Sequence, residues 1–220
     1  MDIMYSTVLA FGIIALATFV SGRMTAGKKV RSSDPVIISS PRLGFLNLMD
    51  EEGAGLMEAD KEAFEARFSG IQVSTTAPPP CDVLFIYANI SAAGRILGSE
   101  SGLKEIVRNS GACVAIMAAD SSSDNYGEAL KSKEPSYANL VLILDRKGPL
   151  FHLFFNRLFD QMFKGVTMPM AWVKLAPQDP SAVHSEGPGA IMVLNGGQVS
   201  FASMQRAAWR PSPTRPKSPA

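Results

Sequence analysis

The sequence predicts an α/β domain with a mainly parallel open sheet, helices on both faces of that sheet, a C-terminal β-hairpin and a single N-terminal transmembrane helix. Three features of the sequence predict this class. Apolar runs of strand length alternate with helical segments after residue 82, as in parallel sheets that are covered on both faces. Asn195-Gly196-Gly197 separates two short apolar runs, which favours a hairpin turn. The chain also begins with a long apolar run.

The N-terminal apolar run, residues 3–20, reads IMYSTVLAFGIIALATFV and carries no charge. At 1.5 Å per residue it extends about 27 Å, close to the thickness of a hydrocarbon core, so we predict a membrane anchor from Ile3 to Ser21. Asp2 is the only charged side chain before the run, whereas four basic side chains follow it closely: Arg23, Lys28, Lys29 and Arg31. The positive-inside tendency then predicts a single-pass membrane protein whose C-terminal domain is cytoplasmic.

These features divide the chain into four predicted parts. Residues 1–22 form the transmembrane anchor and residues 23–35 a basic juxtamembrane linker. Residues 36–205 form the α/β domain, which is long enough to bury a hydrophobic core. Residues 206–220 are a disordered or extended tail, rich in proline and basic residues. A cleaved signal peptide and a buried core helix are the alternatives to the anchor.

The first part of the domain is predicted to hold a short apolar run at residues 36–38 and an acidic helix from about Leu56 to Phe68, which Gly70 ends. Three apolar runs then predict parallel strands: DVLFIYA from Asp82, ACVAIMAA before Asp120, and ANLVLIL before Asp145. Helices are predicted between them, at GLKEIVRNSG and near Tyr126 to Lys133.

The segment after Pro149 carries the strongest helical periodicity. Its apolar side chains repeat at helical spacing, and they are Phe151, Phe154, Phe155, Leu158, Phe159, Met162 and Phe163. Gly165 is the predicted stop, and His152 lies on the polar side. The run MAWVKL, residues 170–175, predicts a further strand, and residues 190–194 and 198–202 are the two strands of the hairpin.

Composition excludes several classes of function. The chain has 21 Lys plus Arg against 20 Asp plus Glu, so bulk charge does not favour a nucleic-acid partner. Cys81, Cys113, His152 and His184 do not have the spacing of a structural zinc site, and no metal ligand is predicted. Each cysteine opens a predicted strand, and both are expected to be reduced.

Polar residues follow the three predicted strands, and they form the first part of a candidate ligand site. Ligands of open parallel sheets bind beyond the carboxyl ends of the strands, where the strand order reverses. Asn89, Asp120 and Asp145 stand at those ends and could therefore line one crevice. Asp120 and Asp145 could share a magnesium ion, or each could belong to a polar turn.

The loop NISAAGRILGSESGL supplies the second part of the candidate site. Ser99 and Ser101 precede a predicted helix, whose first backbone N–H groups could hold a phosphate with help from Arg95. The spacing of its glycines matches neither of the two common phosphate-binding loops. Turn and cap formation is the alternative role of these serines.

The run DVLFIYAN, followed by a helix that begins with Gly102-Leu103 and by a second strand, resembles caspase-like peptidase domains over about a third of the chain. That resemblance implies a cysteine just after such a strand and a histidine upstream. This chain has Asn89 there and no histidine before His152, so the family's peptidase activity is not carried over and the catalytic residues are unknown.

These observations favour a membrane-tethered cytoplasmic α/β domain that acts as a binding or scaffold module for a protein partner, without a cofactor. The alternative is an enzyme or sensor for a phosphorylated small molecule, with its site at the carboxyl ends of the parallel strands and magnesium as its cofactor. A pair of a nucleophile and a base, which would indicate covalent catalysis, is not evident around either histidine.

Overall fold

The computed structural model describes residues 35–133, 135–175 and 187–202 of the 220-residue chain. The anchor at Ile3 to Ser21, residues 23–34 of the linker and the tail at residues 206–220 lie outside these ranges and stay predictions. Within the described ranges, no helix has both the length and the apolar character needed to cross a bilayer.

Strands and helices alternate through most of the described chain. In chain order they are β1 (Val36–Ile38), β2 (Arg42–Asn47), α1 (Glu51–Phe64), β3 (Gly70–Ser74), β4 (Val83–Tyr87), α2 (Leu103–Ser110), β5 (Val114–Met117), α3 (Ser123–Leu130), β6 (Asn139–Asp145), α4 (Pro149–Phe163), α5 (Met168–Leu175), β7 (Gly189–Leu194) and β8 (Val199–Phe201). A short 3-10 turn, Glu65–Arg67, continues α1. The mixed α/β class predicted from the sequence is confirmed.

Six of the strands form one sheet in the order β3-β2-β4-β5-β6-β7. Neighbouring strands are parallel except β7, which runs antiparallel to β6 at one edge. The chain passes outward from β2 to β3 and then returns to the other side of β2 to form β4. The strand order therefore reverses between β2 and β4, and this reversal creates a crevice at their carboxyl ends.

Helices cover both faces of this sheet. Alternate residues of β4 point to opposite faces, so Val83, Phe85 and Tyr87 join one core and Leu84 and Ile86 join the other. The first core is completed by α1, α4 and α5, and the second by α2 and α3. Strands buried on both faces explain why their sequences are apolar throughout.

Local sequence sets the limits of α1 and α4. The Asp50 carboxylate accepts a hydrogen bond of 3.1 Å from the Glu52 N–H, so α1 begins at Glu51, five residues before the predicted start. Pro149 occupies the first turn of α4, where its missing N–H costs no helical hydrogen bond. Gly165, with a φ of 83°, follows the end of α4, as predicted.

The prediction of a strand at residues 170–175 is wrong, because these residues belong to helix α5. Met168 and Ala171 are fully buried at helical spacing, and Trp172 meets Phe154 edge to face with 4.7 Å between the ring centroids. A short apolar run does not by itself distinguish a strand from a buried helix. Here the packing of these residues against α4 favours the helix.

The two C-terminal strands form around the predicted turn but take other partners than a hairpin requires. β7 pairs antiparallel with β6, whereas β8 pairs in parallel with β1 as a separate two-stranded sheet. Phe201 of β8 lies 4.9 Å from Phe163 between ring centroids. Burial of this aromatic side chain against α4 gives β8 a place in the first core rather than beside β7.

Candidate ligand-binding cavity

A cavity of about 510 Å³ opens at the carboxyl edge of the parallel strands. Its walls come from the segments that follow β2, β4, β5 and β6, together with the first turns of α1. The lining residues are Met49, Asp50, Glu52, Leu56, Asn89, Ala119, Asp120, Asp145, Arg146, Lys147 and Gly148. The cavity therefore includes the point where the strand order reverses, which is where open α/β sheets bind ligands.

Three of the six site residues predicted from the sequence line this cavity together. Asn89 follows β4, Asp120 follows β5 and Asp145 ends β6. All three residues are exposed to solvent. They line the same cavity because the carboxyl ends of neighbouring parallel strands lie at the same edge of the sheet.

The other three predicted residues lie elsewhere. Arg95, Ser99 and Ser101 line a separate depression of about 400 Å³, which they share with Glu100. The Ser99 hydroxyl accepts a hydrogen bond of 3.1 Å from the Ser101 N–H. The serines do not cap α2 as expected, because Gly102 is its N-cap and no side chain bonds there. The Ser99 hydroxyl therefore stabilises a turn within the loop rather than the start of α2.

The loop from Asp145 to Gly148 contributes four consecutive residues to the cavity wall. The Asp145 carboxylate accepts a hydrogen bond of 3.2 Å from the Lys147 N–H, so it does form the charged turn that was the alternative to a site role. Lys147 and Gly148 both have positive φ, 55° and 53°. A positive φ is uncommon for a side chain such as lysine, and such residues are concentrated at functional sites.

Carboxylates dominate the charge around the cavity. Two cationic residues, Arg146 and Lys147, line it, against four acidic ones: Asp50, Glu52, Asp120 and Asp145. Partial burial raises the pKa of Asp120, and the neighbouring Asp145 charge raises it further. A hydrogen bond from the Arg146 N–H and the Arg146 charge oppose this rise. The raised pKa of Asp120 therefore reflects loss of hydration first and the Asp145 charge second.

Directly beside the cavity lies a buried ionic cluster built around Asp60 of α1, which is fully buried. The Tyr87 hydroxyl donates a hydrogen bond of 2.5 Å to one carboxylate oxygen. Arg146 forms an ion pair with the other oxygen, and the His152 Nε2 lies 2.6 Å from that same oxygen. One carboxylate thus joins α1, β4, α4 and the loop after β6. Burial, and then the Asp60 charge, raise the pKa of Tyr87 well above its usual value.

Arg146 connects this cluster to the cavity. One guanidinium nitrogen donates a hydrogen bond of 2.9 Å to the Ala118 carbonyl oxygen, and the guanidinium carbon lies 3.7 Å from the centroid of the Phe151 ring. These contacts and the Asp60 ion pair hold the side chain in one position. They also hold the backbone of the loop from Asp145 to Gly148.

Sequence reasoning missed this cluster, although one signal for it was present. Met57, Asp60 and Phe64 follow one another at i, i+3 and i+7, so Asp60 lies on the buried stripe of α1. A carboxylate on such a stripe needs a charged or hydrogen-bonding partner. The sequence does not identify that partner, because Arg146 and His152 are 86 and 92 residues away along the chain.

The cysteines lie away from the cavity. Cys81 and Cys113 are unpaired thiols that stand just before β4 and β5, at the amino edge of the sheet. Burial raises the pKa of Cys81 to about 12 and also raises that of Cys113. A thiol with a raised pKa is a weak nucleophile at neutral pH, which favours a structural role.

The described ranges contain no metal-binding cluster. No group of three or more histidine, cysteine, aspartate or glutamate side chains is placed there as a metal site requires. Comparisons with protein-family models, curated proteins and solved structures found no match to this chain. The candidate site therefore rests on the geometry of this chain alone.

Proposed function

We propose that this protein is a membrane-tethered binding module whose α/β domain holds a small polar ligand in the cavity at the carboxyl edge of its sheet. The observation that carries the proposal is the meeting of Asn89, Asp120 and Asp145 in one cavity at the reversal of strand order. The volume of about 510 Å³ is within the range of small-molecule sites.

Binding is favoured over turnover by the chemistry of the described side chains. Among the described residues, the histidine and cysteine groups that covalent catalysis would use are engaged elsewhere, since His152 contacts the buried Asp60 and both cysteines lie at the opposite edge of the sheet. The cavity itself offers carboxylates, an amide and a lysine, which suit recognition of a polar molecule. A protein partner near the bilayer would then recognise the ligand-bound domain. The basic tail at residues 206–220 would be the segment that binds this partner.

Ligand binding is testable by thermal unfolding of the full-length protein in a neutral detergent, screened against small polar molecules. A ligand at a hundredfold excess over its dissociation constant adds about 2.7 kcal/mol to the free energy of unfolding. We expect Asn89→Ala to reduce this stabilisation, because Asn89 lines the cavity. Arg95→Gln, in the separate depression, is the control and should leave it unchanged. The proposal fails if no ligand stabilises the protein, or if both variants respond alike.

The membrane tether is tested by the mass of the mature protein and by its extraction from membranes. We expect an intact N-terminus and a protein that stays with the membrane after alkaline washing, because Ile3 to Ser21 is long enough to span. Loss of roughly the first 20 residues would instead identify a cleaved signal and an exported protein.

A sensor or enzyme for a phosphorylated small molecule is the second candidate. Lys147 and Gly148 favour it, because they lie in the cavity wall at the N-terminus of α4, where backbone N–H groups attract anions. Magnesium held by Asp120 or Asp145 would bridge to the phosphate. Stabilisation by a nucleotide with magnesium, but by neither alone, would support this candidate over the first.

A further inference from the structure

The cavity has an uneven distribution of charge, and this decides which ligand it suits. Four carboxylates line it, and one of the two cationic side chains, Arg146, is already paired with Asp60 outside the lining. The positive charge of Arg146 is therefore shared between the buried Asp60 and the cavity, and carboxylates still outnumber cationic side chains in the lining. An anionic ligand would be placed against this excess of carboxylates, whereas a cationic ligand would neutralise it.

The carboxylates are distributed over several walls of the cavity. Asp50 and Glu52 follow β2, Asp120 follows β5 and Asp145 ends β6. Because β4 and β5 separate β2 from β6, and neighbouring strands lie about 4.8 Å apart, the strand ends that carry these groups span roughly 14 Å. This spread suits several positive charges along one molecule better than a single point charge.

A metal ion fits this arrangement less well than an organic cation. No group of three or more metal-ligating side chains converges within the described residues, so the cavity carboxylates do not surround one point. The volume of about 510 Å³ exceeds what a hydrated ion needs. Asn89 adds an amide oxygen that can accept a hydrogen bond from an ammonium group.

We infer that the ligand of this cavity is an organic polycation of the polyamine class, bound by Asp120 and Asp145 on one side and by Asp50 and Glu52 on the other. This inference rests on the proposed function, because it names the ligand class of the same cavity. Two independent observations carry it: a cavity at the reversal of strand order, and an excess of carboxylates spread across its walls.

The test uses the full-length protein in a neutral detergent and five probes at matched ionic strength. Putrescine, 1,4-butanediol and succinate have the same four-carbon length but carry positive, neutral and negative ends, and magnesium chloride supplies a point charge. Spermidine extends the positive series. We expect putrescine to stabilise the protein against thermal unfolding, spermidine to do so at a lower concentration, and the other probes to have no effect.

Variants then locate the binding site. The double variant Asp120→Asn/Asp145→Asn should weaken spermidine binding about tenfold or more in calorimetry, because it removes two of the carboxylates that line the cavity. Asp124→Asn/Glu128→Gln makes the same change in net charge in another depression, around α3, and should leave the affinity unchanged.

The results distinguish a failure of the polyamine inference from a failure of the proposed function. If succinate, butanediol or magnesium binds in place of the amines and the cavity double variant abolishes that binding, the polyamine inference is overturned while the proposed function stands. If both double variants weaken spermidine binding equally, the interaction is bulk charge attraction and the inference is overturned. If no molecule of any charge binds, the proposed function fails with it.

Discussion

The two faces of the sheet bury different kinds of side chain. The face covered by α1, α4 and α5 is rich in phenylalanine and contains the ionic cluster around Asp60. The face covered by α2 and α3 is mainly aliphatic, and its fully buried Tyr126 hydroxyl meets carbonyl oxygens rather than a charge. Buried charge thus lies on the side that supports the cavity loop from Asp145 to Gly148. The comparison shows that this cluster links the core to the loop that lines the cavity.

The largest expected effect is the loss of the cation that balances Asp60. Arg146→Met keeps much of the side-chain volume but leaves a buried carboxylate without its ion pair. Breaking such a pair costs about 3–5 kcal/mol, and we expect about 3 because Tyr87 and His152 still contact Asp60. Urea unfolding monitored by circular dichroism measures this change.

A matched control for that variant lies on the surface. Arg67 pairs with Asp160 at 3.0 Å, but the two side chains are 30% and 50% exposed. Arg67→Met should therefore cost less than about 1 kcal/mol. Equal losses for the two variants would contradict a special role for the buried cluster.

The next effect compares the two buried tyrosines directly. Tyr87→Phe removes a donor to a buried carboxylate, which is expected to cost about 1.5–3 kcal/mol. Tyr126→Phe removes a donor that lies 3.1 Å from the Ala119 oxygen and 2.9 Å from the Ile143 oxygen, both neutral, and is expected to cost about 0.5–1.5 kcal/mol. Both variants keep the ring. If urea unfolding shows a larger loss of unfolding free energy for Tyr126→Phe than for Tyr87→Phe, the expected difference between the two faces of the sheet is contradicted.

The smallest effect is a pH dependence at the cavity. The pKa of Asp120 is raised in the folded protein, so the native state holds a proton that the unfolded chain has released. The free energy of unfolding should therefore fall as the pH rises from the ordinary value of about 3.9 through the raised one. Asp120→Asn should remove this dependence and be more stable than the wild type at neutral pH.

Urea unfolding of both proteins at pH values between 3 and 8 measures this difference. Asparagine keeps an oxygen that can accept the Arg146 N–H, so the hydrogen bond at this position is a constant in the comparison. The two stabilities should converge at low pH, where both side chains are uncharged. A difference that does not vary with pH would contradict the raised pKa as its cause.

The predictions from sequence differ in outcome for a common reason. The strands β4, β5 and β6 and helix α4 were predicted at nearly their observed positions because each has a strong local pattern. Helix α5 and the partners of β7 and β8 were not, since a short apolar segment takes the form that its neighbours bury best. The placement of Asn89, Asp120 and Asp145 at one edge of the sheet was predicted because the ends of these strands are evident from the sequence.

Sequence alone determined the alternation of strands and helices after residue 82, the two covered faces and the polar residues at the carboxyl ends of β4, β5 and β6, since each depends on residues close together in the chain. Only the tertiary structure decided that Arg95, Ser99 and Ser101 lie apart from the cavity. It also decided that Asp60 meets Arg146 and His152, 86 and 92 residues further on. Such pairings follow from strand order and helix packing, which no local pattern specifies.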